Sequence, residues 1–114
     1  MKIEDGLPVN PLDEPAEARV ARGARLLDEY WGPGWRDRID RDRLDMASDF
    51  GCVLGQLYGW YATGRGRLGL TTNQQATRYG FVVTDGGQQW PAPAATAALT
   101  PLWLAELDRA PVTP

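Results

Sequence analysis

The clearest hydrophobic pattern lies at residues 50–61. There Phe50, Val53, Leu54, Leu57, Tyr58 and Tyr61 fall at i, i+3, i+4, i+7, i+8 and i+11, the spacing of one face of an α-helix rather than the alternation of a strand. Beside this stripe Gly51, Gly55 and Gly59 recur every fourth residue, which predicts a groove without side chains that lets another backbone approach closely. Each glycine inside a helix costs about 1 kcal/mol relative to alanine, so close packing has to offset roughly 3 kcal/mol. The stretch therefore reads as a buried central helix that needs neighbours, with Ser48 or Asp49 as its cap.

The same period places a first helix after Pro15. Asp13 and Glu14 precede Pro15 and Ala16, an acidic-plus-proline helix start; Ala16, Val20, Ala24, Leu27 and Trp31 share a face. Arg19, Arg22, Arg25 and Glu29 are expected to look outward, and Gly32 with Pro33 ends the helix. In the 35–45 stretch, four arginines and four aspartates alternate. It predicts a short solvated helix or turn held by Trp35, Ile39 and Leu44, with Arg36–Asp40, Asp37–Arg41 and Arg38–Asp42 in pairing range.

The central helix should fade over 62–66, after which Leu68 and Leu70 return to the core. Thr72 with Gln75 forms a capping-box pattern for a helix over about 72–79, stopped by Gly80. Phe81, Val82 and Val83 read as an extended segment packed on helices, because no second strand offers to pair. Asp85, Gly86 and Gly87 make a turn, 91–98 a loop, and Thr100 as N-cap with Pro101 opens a last helix carrying Leu102, Trp103 and Leu107. The expected fold is a compact all-α single domain of about four helices around the glycine-grooved one, with long irregular connections. Its parts are an extended lead-in over 1–14, the helical domain over 15–110 and a tail over 111–114.

Composition narrows the function classes. With 114 residues, 43% hydrophobic and 24% charged, the chain can bury one core without a disulfide or structural metal. The net charge of −3 gives no footprint for nucleic acid. Histidine is absent and Cys52 is the single cysteine, which removes histidine-based triads, the usual zinc sites and any intramolecular disulfide, and suits a cytoplasmic setting. The start, MKIEDGLPVN, lacks the apolar run of a secretory signal, and no segment approaches the ~20 apolar residues of a membrane span. Neither a cofactor nor a metal is expected, and an enzyme is disfavoured because no nucleophile–base pair assembles.

Several motifs have plain readings. Gly64, Gly66 and Gly69 match a dinucleotide-binding glycine pattern, but no strand precedes them and the chain is too short for the parallel sheet. An anion held by exposed glycine N–H groups with Arg65 and Arg67 is the alternative use of this segment. The 70–81 segment resembles the opening of a helix-turn-helix, yet no recognition helix follows. Cys52 reads as a small packing residue, and Asp40, Asp42, Asp45 and Asp49 as a solvated charged face. Five tryptophans and four tyrosines are too many to bury fully in one small core. Trp60, beside the central stripe, and Trp90, in a loop, are the candidates for an exposed partner-binding patch.

The run LDMASDFGCVLGQLYGWY, then LGL, a helix ending in YGF and a late LTPLW resembles a family of small uncharacterised proteins from actinobacteria and their bacteriophages. The likeness covers about residues 17–107, and its specific part is residues 52–59. It implies a small accessory protein of a mobile element that works by binding something from the host. The expected function is thus a non-enzymatic, phage-type accessory or anti-defence protein that occupies a host protein. The alternative is a binder of a nucleotide or other phosphate-bearing ligand. Self-association through the glycine groove is a further expectation.

Overall fold

A computed structural model describes residues 10–84 and 91–109 of the chain. The described residues form an all-α domain of six helices: α1 Ala16–Tyr30, α2 Val53–Tyr58, α3 Tyr61–Arg67, α4 Asn73–Arg78, α5 Pro93–Ala97 and α6 Thr100–Asp108. Short 3-10 helices at Pro11–Asp13 and Pro33–Arg38 flank α1. Among the described residues the only β pairing is one antiparallel bridge between Thr84 and Pro91, and no helix is long and apolar enough to cross a membrane.

The first helix follows its pattern, with Val20, Ala24 and Leu27 buried and the chain turning at Gly32. Arg19 departs from it. It lies 6% exposed with its Nε donating to the Glu14 carbonyl. Arg22 is likewise drawn in, paired with the Glu14 carboxylate and donating to the Arg78 carbonyl at 2.7 Å. Arg22 is recruited because α4 ends against α1, a neighbour that spacing along α1 could not reveal, and Arg19 by the turn that precedes α1.

The centre of the core is aromatic. Trp35 and Trp103 are fully buried and meet edge-on at 5.9 Å, and Phe81 stacks on Trp103 at 5.2 Å. Each buried indole N–H is satisfied, Trp35 Nε1 by Asp28 Oδ1 at 2.8 Å and Trp103 Nε1 by the Gly80 carbonyl at 2.7 Å, as burial of a polar tip requires. Two glycines let three elements converge here. A Cβ on Gly23 would stand 2.0 Å from the Tyr79 carbonyl oxygen, and one on Gly80, at φ +74°, would stand 2.6 Å from Val20 Cα. The 81–83 segment is extended and packed on the helices, as its apolar run predicts.

The 50–61 stretch is not one helix. It starts three residues late, at Val53, capped by Cys52 rather than by Ser48 or Asp49: the Cys52 Sγ accepts the Gly55 N–H at 3.2 Å. It then stops at Gly59, which takes φ +92° as a left-handed C-cap. The chain re-enters a helix at Tyr61 and continues through Arg67, where fading was expected. At Gly55 the groove is filled by the chain itself: a Cβ there would stand 2.3 Å from the Asp49 carbonyl. At Gly59 it is open, with nothing within 4 Å of the Cβ position. A second close approach lies outside the groove, where a Cβ on Gly64 would stand 2.8 Å from Leu54 Cβ and α2 packs on α3.

Smaller departures follow the same logic. The anticipated charge pairs over 36–42 give way to longer-range ones, Arg36 with Asp28 at 2.7 Å and Arg41 with Asp108 at 2.5 Å. The expected 91–98 loop contains α5, with Pro93 at its first turn. Thr72 caps α4 through Gln75 N as predicted, while the Gln75 side chain reaches Thr71 N, one residue before the cap. Helix α6 begins one residue before the expected cap-to-helix boundary, and the Thr100 hydroxyl accepts the Met46 N–H at 3.0 Å.

Candidate functional site

The break at Gly59 builds the most distinctive surface of the molecule. Residues 45–52 form consecutive turns, with the Asp45 carboxylate accepting the Ala47 N–H at 3.0 Å and Ser48 Oγ accepting the Gly51 N–H at 2.9 Å. Trp60 then lies in extended backbone, at φ −162° and ψ 142°. The Tyr61 N–H donates to the Asp49 carbonyl at 2.9 Å. Because Phe50 follows the acceptor and Trp60 precedes the donor, this bond brings the backbones of the two residues close together. Phe50 is 63% exposed and Trp60 49%. Two large aromatic side chains left in water make this the candidate contact surface.

A cavity of about 200 Å³ adjoins them. Met46, Ser48, Asp49, Cys52 and Tyr61 line one side, and Val82, Pro91, Pro93 and Thr96 the other. Its hydroxyls are occupied within the protein. Thr96 Oγ1 accepts the Val83 N–H at 3.0 Å and donates to the Val83 carbonyl at 3.3 Å, and the Tyr61 hydroxyl donates to Asn73 Oδ1 at 2.8 Å. Burial pushes the Cys52 thiol up to about 11 and raises the Tyr61 phenol as well, so both remain protonated at neutral pH. What the cavity presents is an apolar wall with a single carboxylate at its edge.

The residues singled out from sequence fall apart spatially. Trp60 stands exposed where a binding residue should. Trp90 lies outside the described residues, as do Asp85, Gly86 and Gly87. Arg65 points into the join between α3 and α4, where Nη1 donates to Asn73 Oδ1 at 2.7 Å, and its guanidinium sits 5.9 Å from the Tyr61 ring. Its Nε is buried with no hydrogen-bond partner among the described residues. Arg67 is exposed on the last turn of α3. The two arginines are thus divided between interior and solvent. Gly64 and Gly66 are in mid-helix, with their amides used along α3 rather than presented as an anion cradle.

Phe50 is the site residue that spacing misassigned, since its position three before Val53 places it in the core stripe. The signal that could have found it is the Ser48-Asp49 pair before it and Gly51 after it, a turn composition. Trp31 and Tyr58 behave otherwise, meeting edge-on at 5.3 Å with Arg38 above the Trp31 ring, and so cover an edge of the core. No group of three or more metal-ligating side chains occurs among the described residues. Compared with protein-family models, with curated proteins and with solved structures, the chain matches none.

Proposed function

We propose that this protein is a non-enzymatic binding protein that occupies a host protein, in the manner of the small accessory and anti-defence proteins of mobile elements. The observation that carries the reading is the exposure of Phe50 and Trp60, whose backbones the Asp49–Tyr61 bond brings together, with a cavity lined by Asp49 and Tyr61. Rigidly held aromatic residues make good interface anchors because they bury much area while losing little side-chain freedom. The origin suggested by the 52–59 sequence fits the same role, and the protonated state of Cys52 and Tyr61 favours binding over nucleophilic chemistry in the cavity.

The test is affinity capture from host extract with the wild-type chain and with Phe50→Ser/Trp60→Ser. One host protein is expected to be retained by the wild type, to form a stoichiometric complex once purified, and to be lost by the double variant at unchanged melting temperature. Equal retention by both chains would remove this surface from the reading.

A further inference from the structure

The cavity beside Phe50 and Trp60 also says something about what it would accept, and here the inference rests on the proposed binding role. A cavity of about 150 Å³ lined by apolar side chains admits a benzene-sized group, so one of about 200 Å³ has room for a single apolar side chain. The polar groups inside have partners of their own: the Thr96 and Tyr61 hydroxyls are bonded within the protein, and Ser48 Oγ accepts the Gly51 N–H.

One charged side chain, Asp49, lines the cavity. Over 40–49 the chain carries Asp40, Asp42, Asp45 and Asp49 against Arg41 and Arg43, and Arg41 is engaged by Asp108. The Asp40 and Asp45 carboxylates accept backbone N–H groups of their own turns. Asp49 differs: it lines the cavity, it is exposed, and its carboxylate makes no hydrogen bond or ion pair with a described residue. Burial is the main cause of the raised pKa of Cys52 and of Tyr61 in the cavity wall, and the Asp49 charge adds to it. Phe50, next to Asp49 in the chain, and Trp60 are exposed, and aromatic rings in water attract a cation, a guanidinium more than an ammonium.

We propose that the cavity receives one apolar side chain of the partner while an adjacent arginine of the partner pairs with Asp49 and lies against Phe50 and Trp60. The partner surface is therefore a short basic–apolar segment, not an acidic or purely apolar one.

Amide shifts of the ¹⁵N-labelled chain during titration with acetyl-Leu-Arg-amide and acetyl-Leu-Glu-amide test this. The Leu-Arg peptide should move the amides of Ser48, Asp49, Cys52 and Thr96 and bind at least ~5-fold more tightly, with the gap shrinking as ionic strength rises toward ~1 M. In Asp49→Asn the preference should fall to within about twofold, since the charge partner is gone. The variant is expected to fold, because only the Asp49 backbone carbonyl holds Tyr61, and its amide dispersion verifies that. Equal affinity of the two peptides for the wild type, a preference that survives in Asp49→Asn, or shifts confined to other surfaces would overturn the proposal. So would silence from both peptides at about 10 mM, well above a millimolar Kd. If the charge preference is absent but Phe50→Ser/Trp60→Ser still loses the host partner, only this specificity fails. If that variant keeps the partner, the binding surface itself is wrong.

Discussion

Two aromatic groups in this protein have opposite fates. Trp35, Phe81 and Trp103 sit at 0% exposure, with both indole N–H groups satisfied and rings in contact. Phe50 and Trp60 are 63% and 49% exposed and belong to a turn and a helix junction. The residue types are the same, so hydrophobicity does not separate them. Backbone does: the first group lies where α1, α6 and the turn after α4 converge over Gly23 and Gly80, and the second where the chain is held outward by the Asp49–Tyr61 bond. One group stabilises the fold, and the other is the surface proposed for a partner.

The contrast is sharpest under substitution. Trp103→Ala should destabilise by about 3–5 kcal/mol, the range for emptying a large aromatic site, and it also strands the Gly80 carbonyl. A thermal melt should show a fall of more than ~10 °C. A fall of only a degree or two would mean that the core closes over the gap and that this group is not the anchor.

Gly55→Ala tests the link between the two regions. In an ordinary helix the change stabilises by about 1 kcal/mol, whereas here the new Cβ would meet the Asp49 carbonyl and the Phe50 backbone, at 2.3 and 2.8 Å. Destabilisation of about 1–3 kcal/mol is expected from such overpacking, together with loss of partner binding as the 49–50 turn shifts. Denaturant unfolding checks the sign, and a stabilised variant would show that the turn yields freely.

Glu14 bears on the first region, because its carboxylate holds Arg22, which in turn reaches the Arg78 carbonyl. The hydrogen bond from Arg22 lowers the Glu14 pKa below its ordinary 4.5. A depressed carboxylate contributes stability that is present above its unfolded pKa and lost as pH falls through the folded one. Wild type should therefore exceed Glu14→Gln by about 1 kcal/mol at neutral pH, as befits a partly exposed pair, and the gap should close below about pH 4. A gap independent of pH would assign the effect to packing.

The smallest stability effect belongs to the second region. Trp60→Ser and Phe50→Ser should each change stability by no more than about 0.5 kcal/mol, while weakening the host complex. If either lowers the melting temperature as Trp103→Ala does, the exposed pair is part of the core and the comparison collapses.

Much of the scaffold was legible from the chain. Helix α1 announced itself by its apolar period and its proline start, α4 by Thr72 and Gln75, α6 by Pro101, and the extended 81–83 run by the lack of a partner strand. These features are local, since caps and period act within a few residues. The 50–61 stretch was misread because its apolar period runs on through Gly59, and a helix broken there looks in sequence like a continuous one. Of the candidate surface, the exposure of Trp60 was legible and that of Phe50 was not.

The sequence by itself determined the helical class, the caps at α4 and the abundance of large aromatic residues, because these rest on local propensity and composition. Tertiary structure decided where the central stretch would break and which aromatic residues would be covered. Gly59 permits a left-handed cap but does not demand one. The close packing of Gly55 on the 49–50 turn and of Gly64 on Leu54 selects it, and so turns a stripe of core residues into a buried short helix with two rings left outside.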